Sequence, residues 1–190
     1  MEHLDRTSAF QRYVVGAALP RVRPLAAALL ILAARPLPAQ QIPLSQQATV
    51  TQMVAGTRIE IRYSRPVARG RELFGKLVPW GKVWCPGADT ATTISVSTPV
   101  RVSGEPLAAG TYSVWAIPEP DVWTVIFSRA QPVFHVPYPE GRDALRIRVP
   151  ARHGPHMETL AFYFPVVDGK DATLYLHWGT TIVPLDVHVE

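Results

Sequence analysis

From residue 46 to the end of the chain, apolar residues recur with a period of two, which leaves little room for anything but β-strands. Residues 58–63 (RIEIRY) are the clearest case. Ile59, Ile61 and Tyr63 fall on one face and Arg58, Glu60 and Arg62 on the other. The pattern returns at 47–54, 91–97, 99–103, 111–117, 122–128, 143–149, 158–164, 172–178 and 181–189. Turn chemistry separates the runs: SGEP after 102, PEPD between 117 and 122, and Asp168-Gly169 before the last pair. Pro184 places the last run at a sheet edge or a bulge, because proline has no N–H for a ladder. No run after residue 40 keeps a long 3.6 period; residues 70–78 can supply one helical turn at most. Nine or ten short strands with Pro/Gly-rich turns predict an all-β fold, a single antiparallel β-sandwich of jelly-roll type.

The N-terminus obeys a different rule. Residues 25–34 (LAAALLILAA) form a ten-residue apolar run, preceded by Arg21 and Arg23 and followed by PLPAQQ. That order is the form of a secretory signal, and ten residues are half of the roughly 20 a membrane span requires. We therefore read residues 1–39 as a signal peptide, 40–46 as a short tail and 47–190 as the domain. The expected localisation is periplasmic or secreted, with no transmembrane segment in the mature chain. Setting the leader aside removes five arginines and two acids from 19 basic and 15 acidic residues, leaving 14 against 13. The high pI of the whole chain thus belongs partly to its leader, and nucleic acid is not implied as a partner. Cys85 is the single cysteine, so no intramolecular disulfide can form, and we expect a buried, inert thiol.

One stretch breaks the strand pattern. Residues 63–93 (YSRPVARGRELFGKLVPWGKVWCPGADTATT) are too long and irregular for a single element, yet too rich in aliphatic and aromatic residues for disorder. Seven basic residues from Arg58 to Lys82 stand against Glu60 and Glu72. Arg58 and Arg62 share a strand face with Glu60 and are expected to form cross-strand pairs. Arg65 and Arg71 bracket Pro66 and Gly70; each can clamp an anion or staple loop carbonyls. Trp80 and Trp84 can stack on a sugar ring or a peptide group, or plug the end of the sandwich. Trp115, Trp123 and Trp178 fall within strands and belong to the core. Asp89 can start a turn or serve as an acceptor facing Arg65 or Arg71. The candidate ligand-binding residues are therefore Arg65, Arg71, Trp84 and Asp89, for a small anionic, glycan or peptide ligand.

No catalytic residue, metal or cofactor is assigned. The chain has no GxGxxG, P-loop, HExxH or GxSxG motif. His153 and His156 are separated by Gly-Pro, which excludes a helix that would bring both rings to one side. A hydrogen-bonded structural role is expected for His177.

Several segments together carry a family resemblance: Tyr63-Ser64-Arg65-Pro66, residues 70–75 (GRELFG), residues 77–84 (LVPWGKVW), Gly87-Ala88-Asp89, residues 109–113 (AGTYS) and residues 123–127 (WTVIF). Over roughly residues 47–189 the chain resembles the DUF2911 family of bacterial exported domains. The resemblance implies an exported β-rich domain and no particular activity. It also implies an arginine after the tryptophan, where this chain has Cys85, and Asn followed by an acid, where it has Asp89-Thr90. A joint loss fits a structural ion pair replaced as a unit, or a changed ligand. The reading reached is a non-catalytic binding or accessory domain of the cell envelope. An envelope hydrolase acting on glycan or peptide and a purely structural envelope domain are the alternatives.

Overall fold

The computed structural model describes residues 42–190, which form one compact unit. The signal peptide expected over 1–39 lies outside the described residues. Ten strands follow in order: β1 (Gln46–Val54), β2 (Thr57–Arg65), β3 (Thr93–Val96), β4 (Val100–Val102), β5 (Glu105–Leu107), β6 (Gly110–Ile117), β7 (Val122–Ser128), β8 (Asp143–Pro150), β9 (Arg152–Asp168) and β10 (Asp171–Val189). Among the described residues there is no helix, and hence none long and apolar enough to cross a membrane. The helical turn allowed for 70–78 is instead a tight non-helical curl closed by a Phe74–Val78 bridge.

All pairings between the named strands are antiparallel. One sheet has the order β1-β2-β3-β6-β7-β8 and the other β5-β4-β10-β9. The alternation read from the sequence decides which side chains go inward. Ile59, Ile61 and Tyr63 of β2 are buried with Val114 of β6 and Phe127 of β7, against Leu174, Leu176 and Val187 of β10. This is the expected β-sandwich: each sheet has an apolar face, and both are removed from water by facing each other.

β10 is read in the sequence as two strands, and its geometry agrees with that reading. A straight strand of 19 residues would span about 60 Å. Yet the Val189 N–H bonds the Lys170 carbonyl at 2.9 Å, and the Thr173 hydroxyl bonds Asp186 at 3.1 Å. The strand therefore doubles back, at Gly179 with φ 58°. An added Cβ at Gly179 would also come within 2.8 Å of Leu73. Contrary to expectation, Pro184 sits at neither an edge nor a bulge of the β9 ladder. It lies between the stretch paired with β9, which ends at Ile182, and the stretch paired with β4, which begins at Val187. At that position neither neighbouring ladder needs its N–H.

β6 and β7 are buried on both faces. Their outward residues Trp115 and Ile126 pack with Cys85 and Ala91 in a second, smaller core, covered by Val133 and Tyr138 of the loop after β7. Trp115 is thus a core residue, but on the outer side of its sheet rather than between the sheets.

Candidate functional site

The irregular segment runs from Pro66 to Thr92 and is stitched to the sandwich at successive points. Its start lies along β9: the Ala68 N–H bonds the Glu158 carbonyl at 2.8 Å, and the Leu160 N–H bonds the Pro66 carbonyl at 3.0 Å. Its middle crosses the end of the sandwich. There Trp84 exchanges two backbone hydrogen bonds with Ala116 of β6, at 2.8 and 2.7 Å, while its ring stacks on Trp178 of β10. One residue thereby ties the larger sheet to the smaller. Phe74 packs among Trp80, Trp84, Trp123 and Trp178, with centroid distances of 4.8 to 6.2 Å. Gly75 permits this because an added Cβ would meet Trp80 Nε1 at 2.5 Å. The segment plugs the end of the sandwich with aromatic rings.

The four candidate residues are dispersed along this segment. Arg65 Nε donates to the Leu160 carbonyl at 2.9 Å. Arg71 donates to the carbonyls of Ala68, at 2.8 Å, and Val67, at 2.5 Å. Both guanidiniums thus satisfy backbone acceptors where no ladder is available. Trp84 is half-buried against Trp178, and Asp89 is exposed with φ 60°, its carbonyl accepting from the His135 N–H at 2.9 Å. None of the four lines either of the two main clefts.

The larger cleft, about 730 Å³, lies on the outer face of the six-stranded sheet. Its floor is polar, and strand register explains why. Thr51, Glu60, Ser95 and Thr111 stand side by side across β1, β2, β3 and β6, with Thr49, Arg62 and Thr93 in the next row. Gln131 and Pro132 of the loop after β7, together with Thr90, form a wall. That wall is held in place by the Thr90–Phe134 bridge and by His135 against Asp89.

Glu60 organises the charges on this floor. Its carboxylate is buried, and accepts from Arg58, from Arg62 Nε at 2.6 Å and from the Thr51 hydroxyl at 3.4 Å. The arginine pairs therefore form within one strand rather than across strands, because i and i+2 on β2 share the outward face. Two cations against one anion leave the floor with a net charge of +1. Arg62 uses only its Nε in this contact, and its side chain is 70% exposed. Its terminal nitrogens, with four of the five guanidinium N–H groups, point no bond at any described residue and remain for an incoming oxyanion. Ser95 and Thr111 bond each other at 2.8 Å and keep lone pairs on the floor.

Several other reactive groups are engaged elsewhere. Cys85 is buried, and desolvation pushes its thiol up to about 12 in spite of hydrogen bonds from Thr92, so it is protonated at neutral pH. His177 is buried between the Tyr163 hydroxyl and the Pro155 carbonyl, both at 3.0 Å, which is the structural role expected of it. His156 pairs with Glu158 at 2.8 Å. The smaller cleft, about 350 Å³ on the other sheet, is lined by groups already paired with one another, Asp171 with His188 and Thr173 with Asp186.

A family model described as a protein of unknown function, DUF2911, matches residues 45–187. The chain belongs to this family. No curated protein and no solved structure matches it. The matched span runs from β1 to β10, so in this DUF2911 domain the aromatic plug and the polar cleft both lie within the family region. From the sequence, residues 58–62 are read as ion pairs alone, and the hydroxyls of β3 and β6 carry no signal of a site. Their polar side chains were legible as an outward strand face. The wall that turns this face into a cleft comes from the loop after β7, far along the chain from β2, and no local pattern announces it.

Proposed function

We propose that this domain is an exported, non-catalytic binding module of the cell envelope, taking an acidic glycan in the cleft over β1, β2, β3 and β6. The observation that carries the reading is Arg62: it lines the cleft, Glu60 holds its Nε, and its terminal nitrogens bond no described residue. A guanidinium oriented from behind is preorganised for bidentate capture of a carboxylate or sulfate. The hydroxyls of Thr49, Thr93, Ser95 and Thr111 donate and accept, as the hydroxyls of a sugar do. Three donors occupy Glu60, which leaves that carboxylate poorly placed to take a proton from a substrate and favours binding over acid–base chemistry. Export rests on the leader read from residues 1–39.

The test is a thermal-shift and calorimetric screen of uronic-acid and sulfated oligosaccharides, with neutral sugars and acidic peptides as comparison arms. An acidic glycan at 100 times its Kd should stabilise the fold by about 2.7 kcal/mol. Arg62→Ala should weaken that binding at least about tenfold. Binding that is indifferent to Arg62→Ala, or a response to peptides alone, overturns the reading.

A further inference from the structure

Four strands lie at sheet edges, β1 and β8 in the larger sheet, β5 and β9 in the smaller, and three of them are guarded. β5 has three residues, one of them Pro106. β8 ends at Pro150 and sets Arg146 and Arg148 along its exposed face. β9 contains Pro155 and Pro165, has register shifts against β10, and is bonded by the plug segment at Glu158 and Leu160. β1 has none of these devices. It runs nine residues, QQATVTQMV, in unbroken register with β2, and has no proline and no charge. Every second residue of an edge strand turns its N–H and C=O away from its neighbour, which makes such an edge a template for another strand. Among the described residues β1 is paired on the β2 side alone, and one side-chain bond, Gln52 Nε2 to the Met53 carbonyl at 2.9 Å, touches its backbone.

We propose that a second copy of this chain occupies that edge, with β1 pairing antiparallel to β1 about Val50, so that two six-stranded sheets become one of twelve strands. Two features of β1 favour its own copy over a foreign strand. A two-fold axis at a residue keeps parity, so the inward set Ala48, Val50 and Gln52 meets itself, as does the outward set Thr49 and Thr51. With no charge on β1, self-pairing sets no like charges opposite each other, whereas β8 would oppose arginine to arginine. Ala48 and Val50 are half-buried at the rim of the core, and a second strand would close that rim. The contact is isologous, so it ends at a dimer.

Sedimentation velocity of the protein expressed from the full chain, over a wide concentration range, should give a reversible monomer–dimer equilibrium. Thr49→Lys with Thr51→Lys places lysines directly opposite each other across the axis, on side chains that are exposed in the monomer. It should abolish the dimer while the monomer stays folded, its melting temperature lowered by no more than the loss of the Thr51–Glu60 bond accounts for. Val50→Cys should cross-link to itself under mild oxidation, since directly opposed Cα atoms lie about 4.5–5.5 Å apart. Met53→Cys should not, because the two copies of that residue would lie about 20 Å apart. A chain that is monomeric at every concentration overturns the proposal, including one whose edge takes up a peptide of foreign sequence instead. So does a dimer indifferent to the lysine pair, or one that cross-links through Met53→Cys and not Val50→Cys.

Discussion

At one end of the sandwich Phe74 packs among four tryptophans, and Trp84 closes on Trp178 from the opposite sheet. Earlier in the chain, Arg58, Glu60 and Arg62 stand on the outer face of β2 beside a row of hydroxyls. The first region has the conspicuous sequence: glycines, prolines, basic residues and two tryptophans within thirty positions. The second is an ordinary alternating strand. Their physical roles are reversed. In the conspicuous loop Phe74 and Trp84 are packed, Trp80 lies on Phe74 with part of its ring exposed, Arg71 donates from two nitrogens to backbone carbonyls and Arg65 from its Nε to one. On the ordinary strand the donors of Arg62 are held in position and left available. An irregular segment must satisfy its own backbone and bury its own apolar groups before it can bind anything, and that requirement consumes its side chains. A strand in a ladder has its backbone satisfied already, so its outward side chains are free for a ligand.

Substitutions that strike one region and spare the other sharpen this contrast. Trp178→Ala should have the largest effect. Removing a buried tryptophan from the plug should cost about 3–5 kcal/mol in urea denaturation, while the protein that remains folded keeps its affinity for an acidic glycan. Loss of affinity in step with stability would mean that plug and cleft are one functional unit.

Cys85 probes the second small core through pH. The unfolded thiol ionises near pH 9.0, while the folded one holds its proton to about 12. The unfolded state gives up its proton first, so stability should fall by up to about 1.4 kcal/mol per pH unit between those values. Cys85→Ala should flatten that part of the profile, and the native thiol should resist a thiol reagent at pH 8 until denaturant is added.

Arg71→Ala should cost about 1 kcal/mol through the loss of its bonds to Val67 and Ala68. It should leave binding intact, because Arg71 does not line the cleft. Arg62→Ala should show the opposite profile. Its stability change should be under about 1 kcal/mol, since the guanidinium is mostly exposed and Arg58 remains on Glu60, yet the affinity should drop. If both variants behave alike in both assays, the division of labour between loop and strand is wrong.

Much of the architecture was legible because β-structure writes itself in alternation. Residues 58–63 point inward and outward as their period of two requires, and 172–178 and 181–189 were separable as two runs although they form one continuous β10. Pro184 was misread because edge and interior are properties of the sheet rather than of the strand. Trp115 was legible as buried, but its burial on the outer face depends on a loop that folds over it. Arg65 and Arg71 were open between ligand and backbone, and the acceptors that hold them, as far away as Leu160, are brought close only by the fold.

What the sequence determined by itself is the β class, the inward faces of the strands and the family, because each rests on near neighbours along the chain or on ordered motifs. Tertiary structure alone decided which polar groups are already paired and which remain available. Pairing is a relation between distant segments: Glu60 reaches its full set of donors only when β1 lies beside β2, and a flat strand face becomes a cleft only when the loop after β7 rises over it.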